Sequence, residues 1–385
     1  MRWPVLRAGI DRLLASRRRE CSLQFTGGEP VLAFPLIEKA VAYVERHVSD
    51  GQRVVFDLTT NGTLLRRRHL VFLAEKGFRL QVSFDGVPGA QDVRGRGTFA
   101  RLDSLLDLIR DEDPSFFRCL RVAMTVNRDA FPWLADSVDY LLAKGVHEIA
   151  LAPDLRPAMR WSASDVKTLR RQVGRVFASS LRHYRHTGQV PLLLFRKSLS
   201  EPAPALRRGP VCGAASGRRI TVDVDGQVYA CPMLAESFQA FPDTPLRQHL
   251  IEMRLGDVRD PALAPKLKGL HAAARRARIF YDKESKYSSY GRCARCRYVD
   301  VCSICPVPVA RDPQHTDPDR LPDHLCAYKR VVLSHRARFP AQIDPLDVVS
   351  GRASFLSFLD QSGALRHEAQ HLDRTLFGLV EGQPR

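Results

Sequence analysis

The first 155 residues alternate between short apolar runs and longer segments in which apolar residues recur with the period of a helix. The short runs are rich in β-branched residues, which favours strands, and the longer segments favour amphipathic helices. Strands are predicted at Cys21–Phe25, Val54–Leu58, Leu80–Phe84, Leu120–Val126 and Ile149–Ala152. Helices are predicted at Val5–Ala15, Pro35–Val48, Arg66–Glu75, Ala100–Arg110 and Trp133–Ala143.

This alternation of strands and helices predicts a parallel sheet or an open α/β barrel. The chain opens on a helix, whereas each parallel βαβ unit needs a strand before its crossover helix. A first strand is therefore missing from the pattern, or the barrel begins with an uncovered edge.

The rest of the chain has a different pattern. Residues 156–200 are helical and end in an apolar run, and the proline-rich segment Glu201–Pro210 is predicted to be a linker. In the region that follows, Asp225-Gly226 joins two short apolar runs and predicts a β-hairpin. We therefore predict four parts, 1–155, 156–210, 211–330 and 331–385, the last being a helical tail.

Length and composition narrow the function classes. A chain of 385 residues can bury a core without disulfides. It has no visible secretory signal and no run long enough to span a membrane, which predicts a cytoplasmic protein without a membrane partner. The net charge of +17 comes from scattered arginines, and this favours a solvated surface over a nucleic-acid interface.

Seven of the nine cysteines lie in the second half of the chain. Their pattern is C-x13-G-x4-C from Cys212 to Cys231, then C-x2-C-x5-C-x2-C from Cys293 to Cys305, then Cys326. In a reducing compartment such thiols are metal ligands before they are disulfides. The spacing favours iron–sulfur clusters over zinc, because zinc ribbons place their two C-x2-C pairs farther apart.

Small and polar residues follow the first three predicted strands. The segments are Thr26-Gly27-Gly28-Glu29-Pro30, Thr59-Thr60-Asn61-Gly62 and Ser83-Phe84-Asp85-Gly86. Because parallel strands end at the same edge of a sheet, these segments predict a shared pocket for a small molecule.

With these motifs the chain resembles the radical S-adenosylmethionine enzymes that carry a C-terminal SPASM domain, over roughly residues 1–330. The resemblance implies a partial TIM-like (β/α)6 barrel without its first strand, followed by the SPASM domain. It also implies that S-adenosylmethionine contacts the residues at the strand ends. These residues are Gly27, Gly28, Glu29, Pro30, Asn61, Ser83 and Arg94.

The same resemblance implies two auxiliary [4Fe–4S] clusters, the first held by Cys212, Cys231 and Cys305. The second would be held by Cys293, Cys296, Cys302 and Cys326. The last cysteine pair is C-x2-C where the family usually has C-x3-C, and no fourth cysteine lies just upstream of Cys212. We therefore expect the first cluster to have an open iron or not to assemble.

Two further departures concern the chemistry. The C-x3-C-x2-C motif that holds the family's catalytic cluster is absent from the 385 residues. Either the true start lies about 30 residues upstream, which we favour, or the protein works without radical chemistry.

Pro232 stands where the sulfatase-maturing branch has an aspartate base, and no other general base is predicted. Cys21 and Cys119 are predicted to be buried core thiols, and His324 a surface histidine.

The predicted function is that of a radical S-adenosylmethionine oxidoreductase or maturase that modifies a peptide or protein, supplied with electrons by a flavodoxin or ferredoxin. The alternatives are a non-catalytic iron–sulfur protein with a degenerate barrel, and a zinc-stabilised nucleic-acid-binding protein. An upstream C-x3-C-x2-C separates the first two, and metal analysis separates the third.

Overall fold

The computed structural model describes residues 1–156, 160–196, 211–237, 243–303 and 305–340. Its main feature is a parallel sheet of five strands in the order β1-β2-β3-β4-β5. The strands are β1 Glu20–Phe25, β2 Arg53–Thr60, β3 Arg79–Ser83, β4 Arg121–Val126 and β5 Glu148–Pro153. The five predicted strands and the α/β class are confirmed, and within the described chain β1 has a neighbour on one side only.

Helices connect the strands and cover the sheet. In the described residues they are α1 Trp3–Ala15, α2 Phe34–His47, α3 Arg67–Glu75, α4 Pro88–Gly95, α5 Phe99–Glu112, α6 Pro114–Arg118, α7 Leu134–Ala143 and α8 Ala163–Thr187. The five predicted helices are confirmed within a few residues, and α4 and α6 were not predicted. In α2 the side chains of Ile37, Ala40 and Val44 are buried, as expected for an amphipathic crossover helix.

The cysteine-rich region has its own small sheets and short helices. Its strands are β6 Thr221–Val222, β7 Gln227–Tyr229, β8 Arg254–Asp257, β9 Tyr287–Ser288 and β10 Gly291–Arg292. Its helices are α9 Arg247–Ile251, α10 Leu263–Lys268, α11 Leu270–Arg276, α12 Val307–Arg311 and α13 Asp323–Arg336. The predicted hairpin at Asp225-Gly226 is present as the antiparallel pair β6–β7, and Gly226 has a φ of +101°. The third strand of this sheet, β8, was not predicted.

Two hydrophobic cores lie on either side of α1. Ile10 and Leu14 of α1 belong to the core of the five-stranded sheet, whereas Val5 belongs to the core of the cysteine-rich region. Arg12 donates hydrogen bonds from the same helix to the carbonyls of Val258 and Asp260. Residues of both regions thus pack against one helix.

The C-terminal helix α13 also connects the two regions. Its residues Tyr328, Val331 and Val332 pack into the core of the parallel sheet, while Cys326 faces the other cysteines. The helix crosses residue 330, where we placed a domain boundary from the sequence.

Other predictions from the sequence lie outside the described residues or concern single cysteines and membrane spans. The proline-rich linker and most of the C-terminal tail lie outside the described residues. The prediction that Cys119 is a core thiol was wrong. Cys119 is exposed because it lies in the turn between α6 and β4. Cys21 is buried, as predicted. Among the described helices, none has both the length and the apolar character needed to cross a bilayer.

Candidate functional site

The glycines after β1 leave an open approach to the main chain. Gly27 has a φ of +128°, a conformation that favours glycine. A Cβ placed on Gly27 or Gly28 would meet no atom within 4 Å, so open space lies beside both residues. This arrangement lets a ligand come close to the main chain at the carboxyl end of the sheet.

The Glu29 carboxylate joins the end of β1 to the end of β2. It accepts hydrogen bonds from the Thr60 hydroxyl at 2.6 Å and from the Asn61 amide at 2.8 Å. It also accepts a bond from the Val31 amide at 3.1 Å and so caps the short helical turn that starts at Pro30. These bonds fix the loop that carries Gly27 and Gly28 against the neighbouring strand.

A second group of bonds joins the ends of β3 and β4. Arg94 of α4 makes two hydrogen bonds to the Asp85 carboxylate, at 2.9 and 3.0 Å. The same carboxylate accepts the Thr125 amide at 2.7 Å, and the Thr125 hydroxyl accepts a bond from Arg94 at 2.6 Å. Asp85 is buried and Arg94 is about a quarter exposed. The paired guanidinium is thus held at the carboxyl edge with part of its surface accessible.

The other predicted pocket residues have simpler surroundings. Ser83 is half-buried at the end of β3, in register with Ala123 of β4. Asn61 is exposed, and its side-chain oxygen accepts bonds from the amide and hydroxyl of Thr63. The predicted residues therefore lie along the ends of β1, β2 and β3, and their contacts with a cofactor stay a prediction.

A polar pair that was not predicted from the sequence lies at the ends of β4 and β5. The Asn127 side chain donates to the Asp154 carboxylate at 2.9 Å, and Arg156 binds the same group. Burial alone would raise the pKa of Asp154, but the hydrogen bonds from Arg156 outweigh it and lower the pKa. A polar residue just after each strand was the signal available in the sequence.

All seven predicted cluster cysteines line one cavity of about 610 Å³. Pro153 and Leu155, at the end of β5, line the same cavity. The cavity therefore lies between the carboxyl edge of the parallel sheet and the cysteine-rich region. It is far larger than the roughly 30 Å³ that one water molecule occupies in the liquid.

The strongest interactions between the thiols fall into two groups. Cys305 interacts with Cys231 and Cys212, and Cys212 in turn with Cys231. The second group consists of Cys293, Cys296, Cys302 and Cys326. Each group lies within one of the two ligand sets that the resemblance implies, and the assignment of ligands to clusters stays a prediction. A cavity lined by seven thiols suits thiolate-bound clusters.

Burial dominates the ionisation of these thiols. It raises the pKa of Cys305 and of Cys293 to about 12, and for Cys293 the thiolates of Cys326, Cys302 and Cys296 add to the effect. Burial also raises the pKa of Cys212, Cys231, Cys302 and Cys326. Iron bound to these sulfurs would supply the positive charge that keeps them deprotonated.

Over the described chain, no group of three or more histidine, cysteine or acidic side chains is close enough to hold one metal ion. An iron–sulfur cluster has several irons and receives its thiolates from wider positions than a single ion does. The cavity volume and the grouping of the thiols agree with iron–sulfur clusters, which are larger than a single metal ion.

Basic side chains also line the cavity, and they were not predicted from the sequence. No aspartate or glutamate occurs among the described residues of its lining. The cationic residues there are Arg218, Arg219, Lys283, Lys329 and Arg330. Lys329 follows Cys326 by one helical turn, which could have indicated it, but nothing near Lys283 in the sequence does.

His324 is not the surface residue that we predicted. It is 4% exposed, and its ring lies 5.6 Å from the Trp161 ring, because α13 packs this side against the sheet. Burial lowers the pKa of His324 and favours the neutral ring. It is absent from the cavity lining that holds the cysteines.

Known proteins with similar sequences include sulfatase-maturating enzymes and a radical SAM synthase, although no family model matches the chain. A serine-type anaerobic sulfatase-maturating enzyme of Klebsiella aerogenes is 26% identical over 243 residues, 58% of this chain and 57% of that protein. A cysteine-type anaerobic sulfatase-maturating enzyme of Clostridium perfringens is 31% identical over 116 residues, 29% of this chain and 31% of that protein. The radical SAM cyclopropyl synthase TigE of Paramaledivibacter caminithermalis is 24% identical over 151 residues, 39% of this chain and 31% of that protein.

The fold has a solved counterpart. Native anSMEcpe, with bound AdoMet and Kp18Cys peptide, superimposes with a TM-score of 0.65 at 19% identity and covers 91% of both chains. The predicted resemblance to radical S-adenosylmethionine enzymes is confirmed. The chain spans little more than half the length of the first of its sequence relatives.

Proposed function

We propose that this chain is part of a radical S-adenosylmethionine maturase that modifies a peptide or protein. The observation that carries the proposal is the cavity in which seven cysteines form two groups beside the carboxyl edge of the sheet. The sequence relatives support the peptide substrate, because two of them are named for sulfatase maturation.

In this proposal S-adenosylmethionine lies at the open edge formed by Gly27, Gly28 and Glu29 after β1, together with Ser83 of β3 and Arg94 of α4. When bound beside a reduced catalytic cluster, S-adenosylmethionine would accept one electron, release methionine and supply a 5′-deoxyadenosyl radical for removal of a hydrogen atom from the substrate. The chain's own residues keep the strand ends together, so that ligand and substrate meet at one edge.

The catalytic cluster needs a C-x3-C-x2-C motif, which is not among the 385 residues. The activity is therefore proposed for a chain that carries this motif on the N-terminal side of residue 1. An iron–sulfur protein that binds peptides without radical chemistry is the second candidate, because the auxiliary thiol groups do not depend on that motif.

The test is anaerobic purification followed by analysis of iron, zinc and acid-labile sulfide. We expect iron and sulfide in near-equal amounts. Zinc without sulfide would contradict the proposal and support a zinc protein. Formation of 5′-deoxyadenosine from S-adenosylmethionine under dithionite, in a chain that contains C-x3-C-x2-C, distinguishes the enzyme from the second candidate.

The cationic side chains that line the cavity indicate the charge of the substrate. Arg218, Arg219 and Arg330 line the cavity without any acidic neighbour in its described lining, which favours an acidic peptide segment nearby. We expect acidic peptides to bind more tightly than neutral peptides of the same length at low salt. Equal affinity for both peptides would remove this part of the proposal.

A further inference from the structure

Two lysines face the cysteine cavity without a carboxylate partner. Lys283 is 3% exposed, and its ammonium donates a hydrogen bond to the Val299 carbonyl at 2.5 Å. Lys329 donates to the Ser303 hydroxyl at 2.9 Å. Within the described chain neither lysine forms a salt bridge with an aspartate or glutamate. A buried cation such as Lys283 is costly without a negative partner, whereas Lys329 is half-buried.

Lys286 is a buried lysine of the same region that has a carboxylate partner. Its side chain is fully buried, and its ammonium lies 2.7 Å from the Asp319 carboxylate. It also donates to the carbonyls of Arg278 and Pro318, at 2.9 and 3.1 Å. Its charge is therefore neutralised locally, whereas the charges of Lys283 and Lys329 are not.

Both lysines line the cavity that the seven cysteines line, and its described lining contains no aspartate or glutamate. Lys283 interacts with Cys293 and Cys302, both in the second ligand set. Lys329 interacts with Cys302 of the second set and Cys305 of the first. Ser303, its hydrogen-bond acceptor, lies in the short loop between those two cysteines. Lys329 is thus placed between the two ligand sets.

From this placement we propose that the ammonium groups of Lys283 and Lys329 balance the negative charge of the two clusters. Lys283 acts on the second cluster, and Lys329 acts on both. The inference rests on the proposed function, since it requires that the clusters assemble. A cluster bound by thiolates carries net negative charge, which grows by one when it takes up an electron from a donor while its bonds stay in place. A nearby fixed cation favours the reduced form and raises the reduction potential.

The experiment is a dithionite titration of the 385-residue chain, followed by electron paramagnetic resonance, with iron and sulfide measured on each sample. Lys329→Met should move the midpoints of both clusters to more negative potential, and Lys283→Met only that of one. Lys329→Arg, which keeps the charge, should stay near the wild type. Lys268→Met removes an exposed lysine of the same region and is the matched control.

Unchanged midpoints in both methionine variants, with iron content intact, would overturn the inference. Loss of iron in Lys329→Met while Lys329→Arg keeps its iron would support a role of the charge, whereas loss in both would overturn it in favour of side-chain shape. A wild-type chain without cluster iron contradicts the proposed function itself, and this result is separate from the other outcomes.

Discussion

The Tyr328 hydroxyl donates a hydrogen bond to the main-chain carbonyl of Leu151, 3.1 Å away. Leu151 belongs to β5, and Tyr328 follows the cavity residue Cys326 by two positions on α13. One part-buried bond thus links the parallel sheet to the helix that carries Cys326.

Replacing Tyr328 by Phe should destabilise the chain by about 1 kcal/mol, because the part-buried carbonyl of Leu151 loses the hydrogen bond from the tyrosine hydroxyl. The measurement is the free energy of unfolding from denaturant titration. Tyr290, whose side chain is exposed, offers the matched change: Tyr290→Phe should alter stability by less than about 0.5 kcal/mol. An equal effect of both substitutions would show that the hydrogen bond is not formed in solution.

The two thiol groups predict that clusters can be removed separately. Cys302→Ala should remove about half of the auxiliary iron, and Cys305→Ala the other half, since each belongs to a different group. Elemental analysis of iron and sulfide is the measurement. Cys119→Ser changes an exposed cysteine outside the cavity and should leave the iron content as it is. Loss of all iron in each single variant would contradict two independent sites.

The Asp85–Arg94 pair predicts a coupled effect on stability. Arg94→Met should cost about 2 kcal/mol, because it leaves the buried Asp85 carboxylate without its cation, and the partial exposure of Arg94 moderates the loss. The double variant Asp85→Asn/Arg94→Met should be less destabilised than the sum of the single variants by about 1 kcal/mol or more. Strict additivity in the denaturant titrations would mean that the pair contributes nothing.

The two glycines after β1 should respond differently to alanine. Gly27→Ala should cost about 1–3 kcal/mol, because a φ of +128° is unfavourable for any residue with a Cβ. Gly28→Ala should leave stability nearly unchanged, since no positive φ is found there and its Cβ would meet no atom within 4 Å. If the cofactor approaches this main chain, both variants should weaken S-adenosylmethionine binding in calorimetry. Unaltered affinity in Gly28→Ala would place the cofactor elsewhere.

The contact between α5 and α7 predicts a loss of stability at alkaline pH. Burial, followed by the hydrogen bond to Asp103, raises the pKa of Tyr140. Burial lowers the pKa of Lys144, but its hydrogen bonds to Asp103 and Asp107 outweigh this effect and raise the pKa. Both groups thus keep their protons in the folded chain at a pH where the unfolded chain begins to lose them.

The stability that these protonated groups contribute is present below their unfolded pKa values, near 10 and 10.4. It should fall as the pH rises above that range. The unfolding free energy measured from pH 8 to 11 should therefore decrease more steeply for the wild type than for Tyr140→Phe/Lys144→Met. Parallel curves would contradict the assignment.

The parallel sheet could be predicted because short apolar segments, such as Ile149–Ala152, alternate with helical ones, and this alternation is typical of parallel α/β folds. The strand β8 could not, since Arg254–Asp257 holds a glycine and a single buried apolar residue. Helix α4 was missed for a related reason: Pro88, Gly89 and Gly95 are more typical of turns, and hydrogen bonds such as Arg94 to Asp85 hold the segment in place.

The candidate site, too, could be predicted from the sequence only in part. The cysteine spacing indicated iron–sulfur ligands, but their division into two sets was implied by the family resemblance. Spacing alone would not divide them this way, since Cys302 and Cys305 are three positions apart and are assigned to different sets. The balance of charge around them could not be predicted, since Lys283 and Lys329 are 46 positions apart and meet only after folding. His324 was assigned to the surface because a sequence does not show which side of α13 faces the sheet.

The position of α1 between the two cores has a consequence for how the chain melts. Ile10 and Leu14 are lost from one core, and Val5 from the other, whenever this helix detaches. Neither region can therefore come apart without exposing apolar surface of its neighbour. Heating should produce one cooperative transition rather than two, and the sheet and the cysteine-rich region should exchange their most protected amide protons at similar rates.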